Sequence, residues 1–136
     1  MIGSRRLGRE AALQVIYLAD VCGWKKEDIP KDIWPHAPLS PETTDFACHL
    51  ATGVLSKRRR LDPLLSECAE NWELRRMAVI DRCILRLSTF ELLYDLDTPV
   101  NVIIDQAIEM AKKYSTNDSG KFVNGILDKL KLERKT

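Results

Sequence analysis

One segment of this chain, from about Arg76 to Tyr94, is apolar on most of its faces. At helical spacing, Ile80 and Ile84 point to one side, whereas Leu85 and Leu92 point to others. A helix that is apolar nearly all round is normally covered by its neighbours on every side. We therefore expect this helix at the centre of the domain, with the rest of the chain packed around it.

Helical periodicity also dominates the rest of the sequence, and no strand alternation is visible. The pattern predicts a first helix, followed by a connector that is broken by prolines. The first helix carries the apolar stripe Leu7, Ala11, Val15, Leu18 and Cys22, and the prolines are Pro30, Pro35, Pro38 and Pro41. The later helices are expected from about Glu42 to Arg59, from there through about Glu70, at the central segment, from Thr98 to Tyr114, and after the turn from Ser115 to Asp118. We predict an all-α domain of about six or seven helices in two small bundles, divided into residues 1–72 and 73–136.

Two helix starts are assigned from local signals. Asp62 and Pro63 are expected to open the shorter helix, because proline at a first helical position has no amide hydrogen to leave unpaired. Asp118 is expected to cap the last helix, because its carboxylate can accept an amide hydrogen bond and complements the helix dipole.

Composition limits the kind of site. The 136 residues form one domain with a sizeable core, and 21 Lys and Arg against 20 Asp and Glu give a net charge of +1. Such a chain lacks the broad positive field of a general nucleic-acid binder. Any site for a polyanion must therefore be local.

No signature of an enzyme, a metal site or a cofactor is present in the sequence. There is no glycine-rich phosphate loop, no nucleophile motif, and no cysteine or carboxylate at ligand spacing from His36 or His49. The four cysteines stand alone, as is typical of a reducing compartment. Without a long apolar run or a signal segment, we expect a soluble, cytoplasmic, non-enzymatic protein.

Two basic clusters have different interpretations. Arg5, Arg6 and Arg9 lie within about 100° on the first helix, and Tyr17 continues the same side, so this face could hold phosphates and stack a base. The alternative is a solvated helix start, but three cations there oppose the helix dipole and need an anionic partner. The denser run from Lys57 to Arg60 is expected at a helix C-terminus, where the dipole already stabilises positive charge.

The last helix has an aromatic side chain off its core stripe. Val123, Ile126, Leu127 and Leu130 form that stripe, and Phe122 lies about 90° away. A ring on this flank, which also carries Asp118, Gly125 and Lys129, could stack a base. The alternative is that Phe122 packs sideways against a neighbouring helix, as most large aromatics do.

Taken in order, several motifs resemble the NusB family of bacterial transcription antitermination factors. They are Arg5-Arg6 with Arg9-Glu10, Leu13-Gln14 and Tyr17; Asp81-Arg82 with Ile84 to Leu87 and Phe90 to Leu92; Pro99 with Ala107 to Glu109 and Ala111-Lys112; and Asp118-Ser119 with Lys121 to Gly125 and Leu127 to Lys129. The resemblance implies two three-helix bundles without catalytic activity. It further implies a protein that joins the ribosomal protein NusE, binds the boxA element of nascent ribosomal RNA, and helps RNA polymerase read through terminators.

The resemblance also assigns residues. It places RNA contacts at Arg5, Arg6, Arg9, Asp118, Lys121 and Phe122, and contacts to the ribosomal protein at Tyr17, Arg76 and Asp81. The region from Ser66 to Glu70 lacks an aromatic that some relatives offer to RNA. Two alternatives remain open: a structural homodimer that buries the arginine face and Phe122, and a targeting module like the NusB-like domain of ribosomal RNA cytosine methyltransferases.

Overall fold

The structure, a computed structural model, describes residues 3–34, 39–70 and 72–134, so Pro35, His36 and Pro38 lie outside it. Those residues contain five α-helices, three short 3₁₀ turns and no strand, which confirms the all-α prediction with fewer helices than expected. The helices are α1 (Ser4–Cys22), α2 (Pro41–Cys68), α3 (Val79–Tyr94), α4 (Val100–Tyr114) and α5 (Asn117–Leu130); the turns are Lys26–Asp28, Leu74–Arg76 and Lys131–Glu133. Within these ranges, no helix is both long and apolar enough to cross a membrane.

Helix α3 is the centre of the fold, as its apolar pattern predicts. Residues 83–92 are all buried, and α1, α2, α4 and α5 pack around them. Close packing depends on Gly53 of α2, because a Cβ atom there would overlap the ring of Phe90. One continuous core takes residues from all five helices. The boundary near residue 72 between two bundles therefore stays a prediction.

The predicted break at Asp62 and Pro63 is wrong, because α2 runs without interruption from Pro41 to Cys68. Leu61 and Leu65 on either side of the proline are completely buried, so the core stripe passes straight through it. Pro63 itself is exposed, and the carbonyl that loses its helical hydrogen bond belongs to the exposed Arg59, where water can replace the bond. Burial of the stripe outweighs the local preference of proline for a helix start.

The caps differ in part from the prediction. Ser40 caps α2, because its hydroxyl accepts a hydrogen bond from the Thr43 amide at 3.1 Å. Thr116 caps α5 in the same way, with the Ser119 amide at 3.1 Å. The prediction that Asp118 is the cap is therefore wrong. Asp118 lies inside the first turn and is exposed, so its charge still complements the helix dipole.

Candidate nucleic-acid interface

Arg9, the third predicted RNA contact of α1, is inside the protein. Its side chain is 3% exposed, and its Nε and Nη2 donate to the Glu91 carboxylate at 2.8–3.2 Å. Burial raises the pKa of Glu91, and the hydrogen bonds from Arg9 oppose that rise. A phosphate cannot reach this guanidinium while the pair is closed. The prediction that Arg9 faces RNA is corrected, because the anionic partner that it needs is Glu91.

Arg6 is also held largely by the protein's own carboxylates. Its Nε donates to Glu10 at 2.9 Å and its Nη1 donates to Glu109 at 2.6 Å. Glu10 receives further hydrogen bonds from Lys113 and from the Tyr114 hydroxyl, at 3.0 and 2.7 Å. Burial alone would raise the pKa of Glu10, but these hydrogen bonds outweigh burial and hold it below its ordinary value. Arg6 is thus part of an internal network rather than a free cation.

Arg5 is the exposed member of the cluster. Its guanidinium carbon lies 4.1 Å from the centroid of the Phe46 ring, a cation–π contact, and it has no ion pair in the described part of the chain. Arg5 and Phe46 line a cleft of about 620 Å³, together with His49, Tyr94 and the loop between α3 and α4. Of the three predicted arginines, Arg5 is therefore the one placed to meet a phosphate.

Phe122 lies in a second cavity of about 300 Å³, lined by α5 from Lys121 to Lys129 and by the end of α2. Its ring is half-buried against the core and meets the Trp72 ring edge-on, with centroids 5.5 Å apart and planes inclined by 75°. Lys121, Gly125 and Lys129 line the same cavity. The ring therefore packs sideways, as the alternative interpretation expected, while part of it stays open beside Lys121. The second lysine, Lys129, is paired with Glu70 at 3.1 Å.

Trp72 is a candidate site residue that the sequence interpretation missed. Its side chain is 54% exposed, which is unusual for so large an apolar group. Together with Phe122 it forms an aromatic surface next to the exposed Lys121, and the exposed Asp118 lies one helical turn before Phe122 in α5. A signal is present in the sequence, since Trp72 belongs to no apolar stripe and lies two residues after the Ser66 to Glu70 region, which itself has no aromatic.

The two halves of the predicted RNA site are far apart. Arg5 stacks on Phe46 near the start of α2, whereas the cavity of Phe122 is lined by Cys68 at the end of α2. At 1.5 Å per residue, Phe46 and Cys68 are about 33 Å apart along the helix. The sequence therefore identified residues at two separate places rather than one compact surface.

The residues predicted to contact a partner protein also divide. Tyr17 is 40% exposed and lines an apolar groove of about 720 Å³ with Leu18, Ile80 and Tyr114. Asp81, the next residue along α3, is buried instead of presented, and its Oδ2 accepts a hydrogen bond from Ser119 at 3.0 Å. Its Oδ1 is buried without a hydrogen-bond partner among the residues described.

Arg76 is exposed and lies away from that groove. It lines another cavity, with Trp72, and its Nε lies 3.7 Å from a Glu73 carboxylate oxygen. The described residues contain no group of three or more side chains suited to a metal ion. Burial also raises the pKa of the Cys83 thiol to about 12, which leaves it protonated and unreactive.

These features define a class: over the residues described, an all-helical protein that presents basic and aromatic side chains at both ends of one long helix. The sequence model of the NusB family matches residues 6–131, and the chain belongs to that family. The transcription antitermination protein NusB of Elusimicrobium minutum is 43% identical over 98% of this chain and 97% of its own length. The corresponding protein of Geobacter sulfurreducens is 41% identical over 95% and 94%. These names confirm the prediction of a non-enzymatic protein.

Solved structures agree on the fold. NusB of T. maritima superposes with a TM-score of 0.89 at 36% identity, over 100% of this chain and 96% of that one. The NusB chain from a complex of antitermination factors NusB and NusE with dsRNA gives a TM-score of 0.85 at 21% identity, over 98% and 99%. The NusB fold expected from the sequence is therefore confirmed.

Proposed function

We propose that this protein is a cytoplasmic transcription antitermination factor that binds boxA RNA together with NusE and helps RNA polymerase read through terminators. Family membership supports the proposal, as do the names of the relatives and the NusE and RNA present with a protein of the same fold. The observation that carries it is the exposed aromatic surface of Phe122 and Trp72 beside Lys121. Successive bases stack on such rings, and cations next to them neutralise phosphates.

Each side chain near α5 has a role in this proposal. Phe122 and Trp72 offer ring surface to an unpaired base, and Lys121 meets a phosphate. Asp118 either accepts a hydrogen bond from a base edge or repels phosphate and so limits affinity. Arg5 contacts the backbone at the far end of α2, whereas Arg6 contributes only if a phosphate displaces one of its carboxylates.

The apolar groove around Tyr17 is the surface we assign to NusE. It combines Tyr17 and Leu18 of α1 with Ile80 of α3 and Tyr114 of α4. Aromatic side chains of this kind are enriched in protein interfaces. Asp81 follows Ile80 in α3 but is buried and hydrogen-bonded to Ser119, so in this proposal it supports the groove from inside and does not contact the partner directly. Because the net charge is only +1, we expect firm RNA binding to need such a second, basic protein.

The aromatic surface is tested with a single-stranded boxA oligonucleotide in a mobility shift, with and without NusE. A stacked base contributes about 1–3 kcal/mol, so Phe122→Ala and Trp72→Ala should each weaken binding about 5- to 150-fold. Leu132→Ala is the matched control, because Leu132 is 80% exposed and lies outside the cavity of Phe122. If Phe122→Ala lowers the melting temperature but leaves RNA affinity unchanged, the stacking role is refuted.

Asp118→Asn separates the two roles of that carboxylate. Weaker binding would show that the charge accepts a hydrogen bond from a base, and tighter binding would show that it repels phosphate.

The homodimer alternative is tested by sedimentation with and without the oligonucleotide. A dimer that persists when RNA is added would favour the structural role over RNA binding.

A further inference from the structure

The basic run from Lys57 to Arg60 lacks the structural explanation expected for it. The run lies in the middle of α2, well before the last turn at Cys68, and the influence of the helix dipole is confined to that last turn. Arg58 approaches Asp20 at 3.9 Å. Lys57, Arg59 and Arg60 are exposed, and none has an ion pair within the described ranges. Like charges this close on a helix repel one another, so another anion should balance them.

Two of these cations share a flank of α2 with both ends of the candidate interface. At 100° per residue, Phe46, Lys57, Arg60 and Cys68 fall within about 80° of arc. Arg5 stacks on Phe46 at one end of this flank, and Cys68 lines the cavity of Phe122 at the other. Lys57 and Arg60 therefore lie between the two separated halves of the site.

Aromatic rings continue along the same flank. Lys57 Nζ lies 5.4 Å from the centroid of the Tyr94 ring, and Tyr94 packs on Phe90 with centroids 5.2 Å apart. His49 and Tyr94 line the cleft of about 620 Å³ beside Arg5. That volume lies within the range of small-ligand pockets, and a nucleobase is smaller than most of their ligands.

Apart from Arg5, and Arg9 which is paired with Glu91, the charged side chains that line the cleft are carboxylates, and these favour a base over a phosphate inside it. Asp95 and Asp97 line its other wall, and Asp95 Oδ1 is hydrogen-bonded to His49 at 2.8 Å. Carboxylates repel phosphate but accept hydrogen bonds from the amino groups of bases. The backbone of a bound strand would therefore follow the exposed cations, with a base turned into the cleft.

We propose that a second contact surface for single-stranded RNA lies along this flank of α2. This α2 surface is formed by Phe46, His49, Lys57 and Arg60 of α2 with Arg5 of α1 and Tyr94 of α3. It rests on the proposed RNA-binding function and extends it to the nucleotides that flank those held at Phe122. Lys57 and Arg60 neutralise backbone phosphates, and the cleft beside Arg5 accepts an unpaired base. A stacked strand advances about 3.4 Å per nucleotide, so roughly ten nucleotides span the 33 Å or so between the two ends.

The test compares two single-stranded RNAs by fluorescence anisotropy over a range of salt concentrations: a short boxA oligonucleotide, and the same oligonucleotide extended by about ten nucleotides at each end. The full-length protein should bind the extended RNA more tightly. Lys57→Gln with Arg60→Gln should abolish that advantage and leave the short RNA unaffected. Because each phosphate contact to a single strand contributes about 0.7 to the slope of log K against log salt, the slope for the extended RNA should fall by about 1.4.

Lys26→Gln with Lys31→Gln is the control, because it removes the same charge from two exposed lysines of the connector. If this control weakens binding of the extended RNA as much, or if the α2 double variant binds it as the unmodified protein does, the proposed surface does not exist. Phe122→Ala distinguishes the two proposals. If it weakens binding of both RNAs while the α2 variant changes neither, RNA binding at Phe122 stands and the α2 surface alone is refuted.

Discussion

The sequence and the structure give opposite interpretations of two basic clusters: Arg6 and Arg9 of α1, and the run from Lys57 to Arg60 of α2. The sequence predicts a functional role for the α1 cluster and a structural explanation for the α2 run. In the structure, Arg9 and Arg6 are held by Glu91, Glu10 and Glu109, whereas Lys57 and Arg60 remain exposed. The difference teaches that local charge density does not decide a role. What decides it is whether the fold brings a carboxylate from a distant helix to the cation.

The central helix follows the same rule. Arg86 donates to Asp62 at 2.9 and 3.0 Å and to Asp20 at 3.1 Å, and Arg82 also binds Asp20. Burial would raise the pKa of Asp20, but the hydrogen bonds and charges of the two arginines hold it below its ordinary value. A lone charge on so apolar a helix would be costly to bury, and carboxylates of α1 and α2 compensate both arginines. Asp62, which the sequence predicts at a helix start, is instead the hydrogen-bond and ion-pair partner of Arg86.

The largest expected effect is at the buried pair of α1. Arg9→Met removes the cation and leaves the Glu91 carboxylate buried, which typically costs about 3–5 kcal/mol. The free energy of unfolding measured by urea denaturation should fall by that amount. Arg9→Met combined with Glu91→Leu should recover much of the loss, because it leaves no unpaired charge.

Two outcomes distinguish a structural role of Arg9 from a role in RNA binding. If Arg9→Met unfolds at the same urea concentration as the unmodified protein, the pair has no structural role and Arg9 returns as a candidate RNA contact. If instead Arg9→Met is destabilising and the double variant restores stability without loss of RNA affinity, the assignment of Arg9 to the core is secure.

A smaller effect is expected at Glu10. Its pKa is held below the ordinary value of 4.5, so its contribution to stability is fully present above that value and is lost as the pH falls through the lower, folded pKa. Glu10→Gln should cost about 2 kcal/mol near neutral pH, as is usual for hydrogen bonds to a charged group. The difference between the two proteins in thermal unfolding should shrink at acid pH.

Glu109→Gln is the matched control for Glu10. Glu109 also binds Arg6, but its side chain is 59% exposed, and surface ion pairs contribute about 0–1 kcal/mol. A loss at Glu109 as large as that at Glu10 would contradict the view that Arg6 is held by its buried carboxylate.

The helices could be predicted from the sequence because each has its own periodicity. The centre at α3 follows directly from its apolar pattern, and Phe122 could be separated from the core stripe of α5 by angle alone. Helix ends were less predictable. Proline favours a helix start locally, but Leu61 and Leu65 are buried on both sides of Pro63, and this long-range packing decides that α2 continues.

The site was predictable in its residue types and not in its arrangement. The pairing of Arg9 with Glu91 joins positions far apart in the chain, and periodicity within one helix carries no information about it. The same holds for Phe122 and Trp72, which meet across two segments. The wrong interpretation of Lys57 to Arg60 follows from the predicted helix end near Arg59. Because α2 ends at Cys68, the negative end of its dipole is too far away to stabilise these cations.

The smallest effect on stability is expected where the run of α2 is exposed. Lys57→Gln with Arg60→Gln loses a cation–π contact to Tyr94, which contributes about 0.5–1 kcal/mol at an exposed site. The substitutions also relieve repulsion between like charges, which offsets about 0.2–0.5 kcal/mol of that loss. The free energy of unfolding should therefore change by less than about 0.5 kcal/mol, as for most surface substitutions. A loss above about 1 kcal/mol in urea denaturation would mean that these cations stabilise the fold. The contrast with Arg9 would then disappear, because both clusters would be structural.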